Sequence, residues 1–224
     1  MATSQYSTTS ETTNAGRASR VLLGPCSVQL RDLLRDHVPP QKFPQIIRQK
    51  MANYKWTKPQ RDLILPSTGQ YSGNYSDFDI SLLYTLLRNL CKIPKHKNGW
   101  GDDPDPNDMS LAANIEMIRI CRNRVAHALD FSLSDLEFND IWSSISTAVI
   151  EMDKVLKSNH KHEKDVEFLR YEPMDSEIAK HFKETLRKQY EEDLEIKSLL
   201  SEHIKSSDQH IKRSDEKLDG MTYI

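Results

Sequence analysis

Between residues 138 and 156 the apolar side chains Phe138, Ile141, Trp142, Ile145, Val149, Met152 and Leu156 recur at steps of three and four. A strand sends every second residue to the same face, so this spacing fits a helix, and a stripe of that length has to be covered by other helices. Ser134 and Glu137 stand three apart just ahead of it, the spacing of a capping box, in which each side chain satisfies a free backbone amide of the other. Hydrophobic residues make up 37% of the chain, charged residues 29%, and only seven positions are glycine. That balance suits helices with solvated outer faces, and the expected class is all-α.

Residues 1–19, rich in Ser and Thr, hold little that burial could set against the entropy of ordering and are expected to be a disordered tail. A first helix is expected within residues 21–38, carrying Val28, Leu30, Leu33 and Leu34 and stopping at Pro39 and Pro40. Short helices broken by Pro44, Pro59 and Pro66 follow. After a polar turn region, Asp77 or Asp79 is expected to cap a helix over residues 79–91 that is apolar nearly all round. A loop rich in Pro, Asp and Gly takes residues 92–108, and a further helix begins near Ser110. The helical domain is thus expected over residues 20–157 and a charged linker over 158–174. A charged amphipathic helix with Ile178, Phe182, Leu186, Tyr190, Leu194 and Leu199 is expected over 175–205, and a second disordered tail over 206–224. The thin apolar face of the 175–205 helix reads either as a solvated helix lying edge-on against the domain or as a coiled coil or partner-binding helix.

Charge and motifs exclude several function classes. Thirty-one Lys and Arg against 33 Asp and Glu leave a formal charge of −2, so no global positive field draws the chain to RNA or to an anionic membrane, and any nucleic-acid binding must be local. Cys26, Cys91 and Cys121 lie far apart without CxxC spacing and read as reduced core thiols of a cytoplasmic protein, not as disulfides or zinc ligands. No apolar run approaches the length of a membrane span, and no membrane association is expected. Asp103, Asp105 and Asn107 open like an EF-hand loop, but Asp108 stands where that loop needs Gly and Asn114 where it needs a bidentate Glu. His160 and His162, in the expected linker, read as holding nothing. With no G-x-x-x-x-G-K-[ST], G-x-S-x-G or H-E-x-x-H motif, neither cofactor nor metal is expected.

One placement stands out. Leu111, Ile115, Ile118, Val125 and Leu129 keep a spacing of three and four only if residue 122 is counted, so Arg122 occupies a slot the pattern would give to an apolar residue. Asn123 follows it, and His127 lies one turn further along the same face as Asn123, with Arg122 about a quarter turn away. A guanidinium, an amide and an imidazole so grouped can hold a phosphate and move a proton near neutral pH. Arg31, Asp32 and His37 satisfy a looser form of the same spacing, so spacing alone does not choose between them. The competing reading pairs Arg122 with an acid such as Glu116 or Asp130 and makes His127 a satisfied core histidine.

From about Val21 to Met152 the successive segments VQLRDLLRDHVPP, LILP, SDFDISLLYTLLRNLC, NGWGDDPDPNDMSLAANIEMIRICRNRVAHA and LSDLEFNDIWSSIS resemble the HEPN domain (higher eukaryote and prokaryote nucleotide-binding), in the form found in DAZ-interacting zinc finger protein 3 and its invertebrate relatives. The resemblance implies a HEPN-like helical bundle of four to five helices, here with an extra C-terminal helix. Such bundles commonly pair as homodimers, with two R-x4-H motifs facing one groove. It selects Arg122, Asn123 and His127 over Arg31 to His37. In catalytic members it implies the His as general acid and base toward an RNA 2'-hydroxyl and the Arg as stabiliser of the phosphate charge, without a metal; here Asn123 would orient them. It also implies that many members bind RNA or partners without cutting, and that Arg88 and Asn89 support the bundle core. A RING finger, carried by some relatives, is not expected from three cysteines. Two readings follow: an RNA-binding HEPN protein of the metal-independent endoribonuclease type, or a non-catalytic dimerisation and adaptor module of an innate-immune or ubiquitin-linked assembly that engages a protein partner through the 175–205 helix.

Overall fold

The computed structural model describes residues 10–66, 71, 73, 75–128, 132–195 and 198, and every regular element among them is helical. In chain order these are α1 (Ser10–Val21), α2 (Ser27–His37), α3 (Phe43–Lys50), α4 (Lys58–Ile64), α5 (Ile80–Leu90), α6 (Leu111–His127), α7 (Asp135–Leu156) and α8 (Lys161–Tyr171). Residues 176–195 are helical as well. The chain forms two units, Met1–Gln189 and Tyr190–Ile224, and the core described here lies in the first. Leu129, Leu199 and the expected tail over 206–224 fall outside the described residues.

Local chemistry sets the helix starts. Ser134 and Glu137 complete the capping box of α7, with the Glu137 carboxylate accepting from Ser134 N–H at 2.9 Å. Asp79 Oδ1 accepts from Leu82 N–H at 2.8 Å to open α5, and Ser110 Oγ accepts from Ala113 N–H at 3.3 Å to open α6. Thr57 and Gln60 form a second capping box, at α4. Pro44 and Pro59 sit in the first turns of α3 and α4, where a missing N–H costs nothing, so they start these helices and do not break them. Between α1 and α2, Leu22–Cys26 forms one π-type turn around Gly24 and Pro25. Proline cannot donate to the preceding turn, and the Ser27 hydroxyl donates to Leu22 O at 2.9 Å.

The α7 stripe is the axis of the bundle, packed by α6, α8, α1 and α2, with Trp142, Ile145, Val149 and Met152 fully enclosed. Two expectations are corrected by what covers it. Residues 10–19 are not a tail: they form most of α1, whose buried positions Asn14, Ala15, Gly16, Ala18 and Ser19 are small or polar. Asn14 Nδ2 donates to Leu133 O at 3.2 Å and to Asp135 Oδ1 at 2.7 Å, and Leu133 N–H donates to Glu11 O, so α1 clamps the start of α7.

Nor are residues 158–174 a linker, because α8 occupies most of them and packs on α7. Its N-cap residue His160 makes no side-chain cap. The cap comes instead from α7: Asp153 Oδ2 accepts from the N–H groups of His162 and Glu163, both at 3.1 Å. The other oxygen, Oδ1, accepts from Gln29 Nε2 at 2.8 Å and from Ser158 Oγ at 2.6 Å and lies 2.6 Å from His162 Nδ1, while His162 Nε2 lies 3.1 Å from Asp32 Oδ2. His162, read from sequence as holding nothing, therefore sits buried between carboxylates of α2 and α7. In the first unit the helix that follows packs through Ala179 and Leu186, both buried, with Phe182 beneath the Arg20 guanidinium. Ala179 lies so close to Gly16 that a Cβ added there would meet Ala179 Cβ at 2.6 Å. Leu186 thus belongs to the domain's own core and is not free to hold a partner.

Candidate functional site

The carboxyl-terminal half of α6 carries the site. Ile120, Asn123, Arg124 and His127 fall at helical spacing on one face and line an open groove of about 650 Å³. Arg119 and Ala128 extend this wall, Glu137 and Ile141 of α7 form the opposite one, Ser132 and Leu133 close one end, and Asp103 comes in from the 92–108 loop. His127 is exposed and Asn123 half-buried. Arg122 is 2% exposed and does not line the groove. It lies on the core stripe with Ile115, Ile118 and Val125, the slot that the apolar spacing assigned to it.

Arg122 still acts on the groove from behind. Its Nη1 donates to Asn123 Oδ1 at 3.1 Å, which engages the carbonyl end of that amide and leaves the NH2 end as the group offered outward. The structure therefore brings Asn123 and His127 together at the groove and places Arg122 as the buried support of Asn123. The pairing of Arg122 with Glu116 does not occur, since Glu116 takes Arg119, and an exposed His127 is not a core histidine; Asp130 lies outside the described residues. Arg31 donates to Phe78 O at 3.0 Å and Asp32 belongs to the His162 network, so these two residues of the second Arg-to-His spacing serve structural bonds. Arg88 and Asn89 are exposed, with Asn89 bonded back to Thr85 O, and do not support the core.

Sequence reasoning missed the wall residues and the latch that places the loop. Glu116, fully buried, accepts from Tyr84 Oη at 2.8 Å and from Gly101 N–H at 3.0 Å, and pairs with Arg119. Burial, and then the bond to Glu116, pushes the Tyr84 hydroxyl up to about 12. Arg119 in turn lies over the Tyr84 ring, and Trp100 packs edge-on against that ring. Gly101, at φ +98°, thus joins the loop to both α5 and α6. The loop's acids serve as turn acceptors: Asp105 for Asn107 N–H, and Asp108 for Ser110 and Lys97 N–H. No group of three or more potential metal ligands converges among the described residues.

An all-helical bundle of this kind is what a HEPN domain forms. Residues 31–182, about two-thirds of the chain, match the family described as DZIP3/hRUL138-like HEPN, and the chain belongs to that family. It is similar to the E3 ubiquitin-protein ligase DZIP3 of Mus musculus and of Homo sapiens, at 32% identity over 78 residues in each case. These matches cover 34% of this chain and 6% of each relative, so the chain corresponds to a small part of those proteins. No solved structure matches it. Among the described residues no helix is long and apolar enough to cross a membrane.

Proposed function

We propose that this chain is an RNA-binding HEPN module whose RNA site is the α6 groove, with His127 positioned for metal-independent cleavage at a ribose 2'-hydroxyl. One observation carries the reading: an exposed imidazole and an amide held donor-outward lie side by side on one helix face, in a groove that also presents Arg119 and Arg124. His127 supplies an imidazole, a group able to take and return a proton. Asn123 supplies an oriented donor for a phosphate oxygen, and the arginines supply charge. Arg122 acts through Asn123 as a positioning residue. Pairing of two copies across this face, with two such motifs in one groove, belongs to the same proposal.

A second reading rests on a different observation. Arg124 is bound to Asp140 at 2.8 Å and Arg119 to Glu116, so the groove's cations are already engaged, as expected of an adaptor module of a ubiquitin-linked assembly. Incubation with a labelled single-stranded RNA in EDTA, comparing wild type with His127→Ala and Asn123→Ala, separates the two. His127→Ala alters an exposed side chain and is expected to keep the wild-type melting temperature, whereas Asn123→Ala removes an acceptor of the buried Arg122 and is assayed well below its own, lower melting temperature. Cleavage to cyclic-phosphate ends that vanishes in His127→Ala, or binding that weakens roughly tenfold in Asn123→Ala, supports the RNA reading. Wild-type protein that neither binds nor cuts RNA at physiological salt refutes it and leaves the adaptor.

A further inference from the structure

The groove's two sides differ in hydrogen-bonding sense. On α6 it offers the Asn123 amide beside His127, and Arg119 and Arg124 with the guanidinium N–H groups that their pairs with Glu116 and Asp140 do not use; across from them stand two carboxylates, Glu137 and Asp103. Glu137 is committed through one oxygen, because its Oε2 accepts from both Ser134 N–H and Ser134 Oγ in the capping box, and so it has no unengaged oxygen pair for a bidentate contact. Asp103 is not: its backbone oxygen is bound by Asn98 at 2.8 Å, whereas its carboxylate has no hydrogen bond or ion pair among the described residues. The placement of this carboxylate is built. Two residues earlier Gly101 is held by N–H to Glu116 and by C=O to Arg119 at 3.4 Å, and the Asn98 bond closes the turn from the other side.

We infer, on the footing of the RNA reading, that Asp103 selects the base of the bound nucleotide, and that the base is guanine. A phosphate is repelled by a free carboxylate and drawn to the donors of α6, so the sugar-phosphate lies along Asn123 and His127 with the base turned toward the loop. Arg119 and His127 are eight residues apart, about 12 Å along the helix, room for a phosphate at one end and a base edge at the other. An ionised carboxylate only accepts hydrogen bonds, through two oxygens side by side. Guanine offers it two parallel donors, N1–H and the exocyclic N2 amine. Uracil offers a single N–H flanked by two carbonyl oxygens that repel it. Adenine and cytosine present an amine beside a ring nitrogen that is itself an acceptor.

The test is fluorescence anisotropy of the whole chain at fixed salt with labelled single-stranded RNAs that differ at one base only, carrying guanine, inosine, which lacks the N2 amine, or uracil. Wild type is expected to bind the guanine RNA roughly tenfold more tightly than the uracil RNA, with inosine between, the discrimination typical of a bidentate contact. In Asp103→Asn, an exposed change that leaves the backbone bond to Asn98 in place, the order guanine over inosine over uracil should collapse. Equal binding of all three RNAs by wild type, or a guanine preference that persists in Asp103→Asn, overturns the assignment of Asp103 and leaves the RNA reading standing. Failure of wild type to bind any of them overturns both.

Discussion

Replacing Asp153 by alanine should destabilise the bundle from its centre. The carboxylate is 3% exposed and takes hydrogen bonds from Gln29 Nε2, Ser158 Oγ, and the N–H groups of His162 and Glu163, as well as facing His162 Nδ1. Truncation leaves the His162 ring on Asp32 alone, the Gln29 amide on Val149 O alone, and two amides at the start of α8 without an acceptor. Orphaned buried donors cost about 1–3 kcal/mol each, and here the two α8 amides and the His162 ring lose an acceptor together. A loss of about 3–5 kcal/mol is therefore expected, a large part of the roughly 5–15 kcal/mol that holds a domain together. The assay is urea unfolding followed by far-ultraviolet circular dichroism, with an unchanged slope confirming that the native state is comparable. A loss below about 1 kcal/mol would refute the reasoning, since the sum of the orphaned groups leaves no room for so small a value. Burial pushes the Asp153 carboxyl up, but the bonds from Ser158, Glu163, His162 and Gln29 outweigh it and hold the group below the ordinary carboxylate value. The native state then binds this proton less readily than the unfolded chain, so the contribution is complete above about pH 4 and is lost as pH falls through the native value. Asp153→Asn should flatten that acid limb.

Two further outcomes follow from packing. Gly16→Ala gains helix propensity of about 1 kcal/mol, yet its methyl would meet Ala179 Cβ at 2.6 Å, so the net effect in chemical denaturation should be destabilising by about 1–2 kcal/mol; a stabilised variant would show that the two helices separate freely. Cys26, Cys91 and Cys121 are all buried, and burial pushes the Cys91 and Cys121 thiols up to about 12. A small thiol reagent at neutral pH should therefore modify them only as fast as the domain opens, with the rate rising in urea and in Asp153→Ala; immediate labelling of the native protein would contradict the burial.

What sequence disclosed, and what it hid, divides by the range of the interaction. The capping side chains Ser134, Asp79 and Ser110 act on backbone amides three residues away, and the α7 stripe repeats within one helix, so both were visible in local spacing. The same spacing gave Arg122 its slot, and the slot proved decisive: a residue on the core stripe is buried, so the motif reaches the groove through Asn123 and His127 while its arginine stands behind. Most of helix α1 was invisible to hydropathy because, up to Val21 at its end, its packed face is Asn14, Ala15, Gly16, Ala18 and Ser19, which gain burial by close approach. Helix α8 was hidden for another reason, since its cap is supplied by a different helix and its buried His162 depends on Asp153 of that helix and on Asp32, 130 residues away. Asp103 enters the groove only through a latch between loop and bundle at Glu116, which no periodicity announces.

The clamp of α1 on the α6–α7 connection bears on where this domain can be cut. The family match begins at residue 31, inside α2, and so leaves out α1 and the π-type turn. A fragment trimmed to those limits would bare the surfaces of α6, α7 and α8 on which α1 rests, and would release Leu133, whose backbone Glu11 and Asn14 hold from either side. Leu133 is part of the groove's rim. Shortened protein would then be sticky and its groove loosened at one end, so a failed binding assay on it would report the missing helix and say nothing of the chemistry at His127.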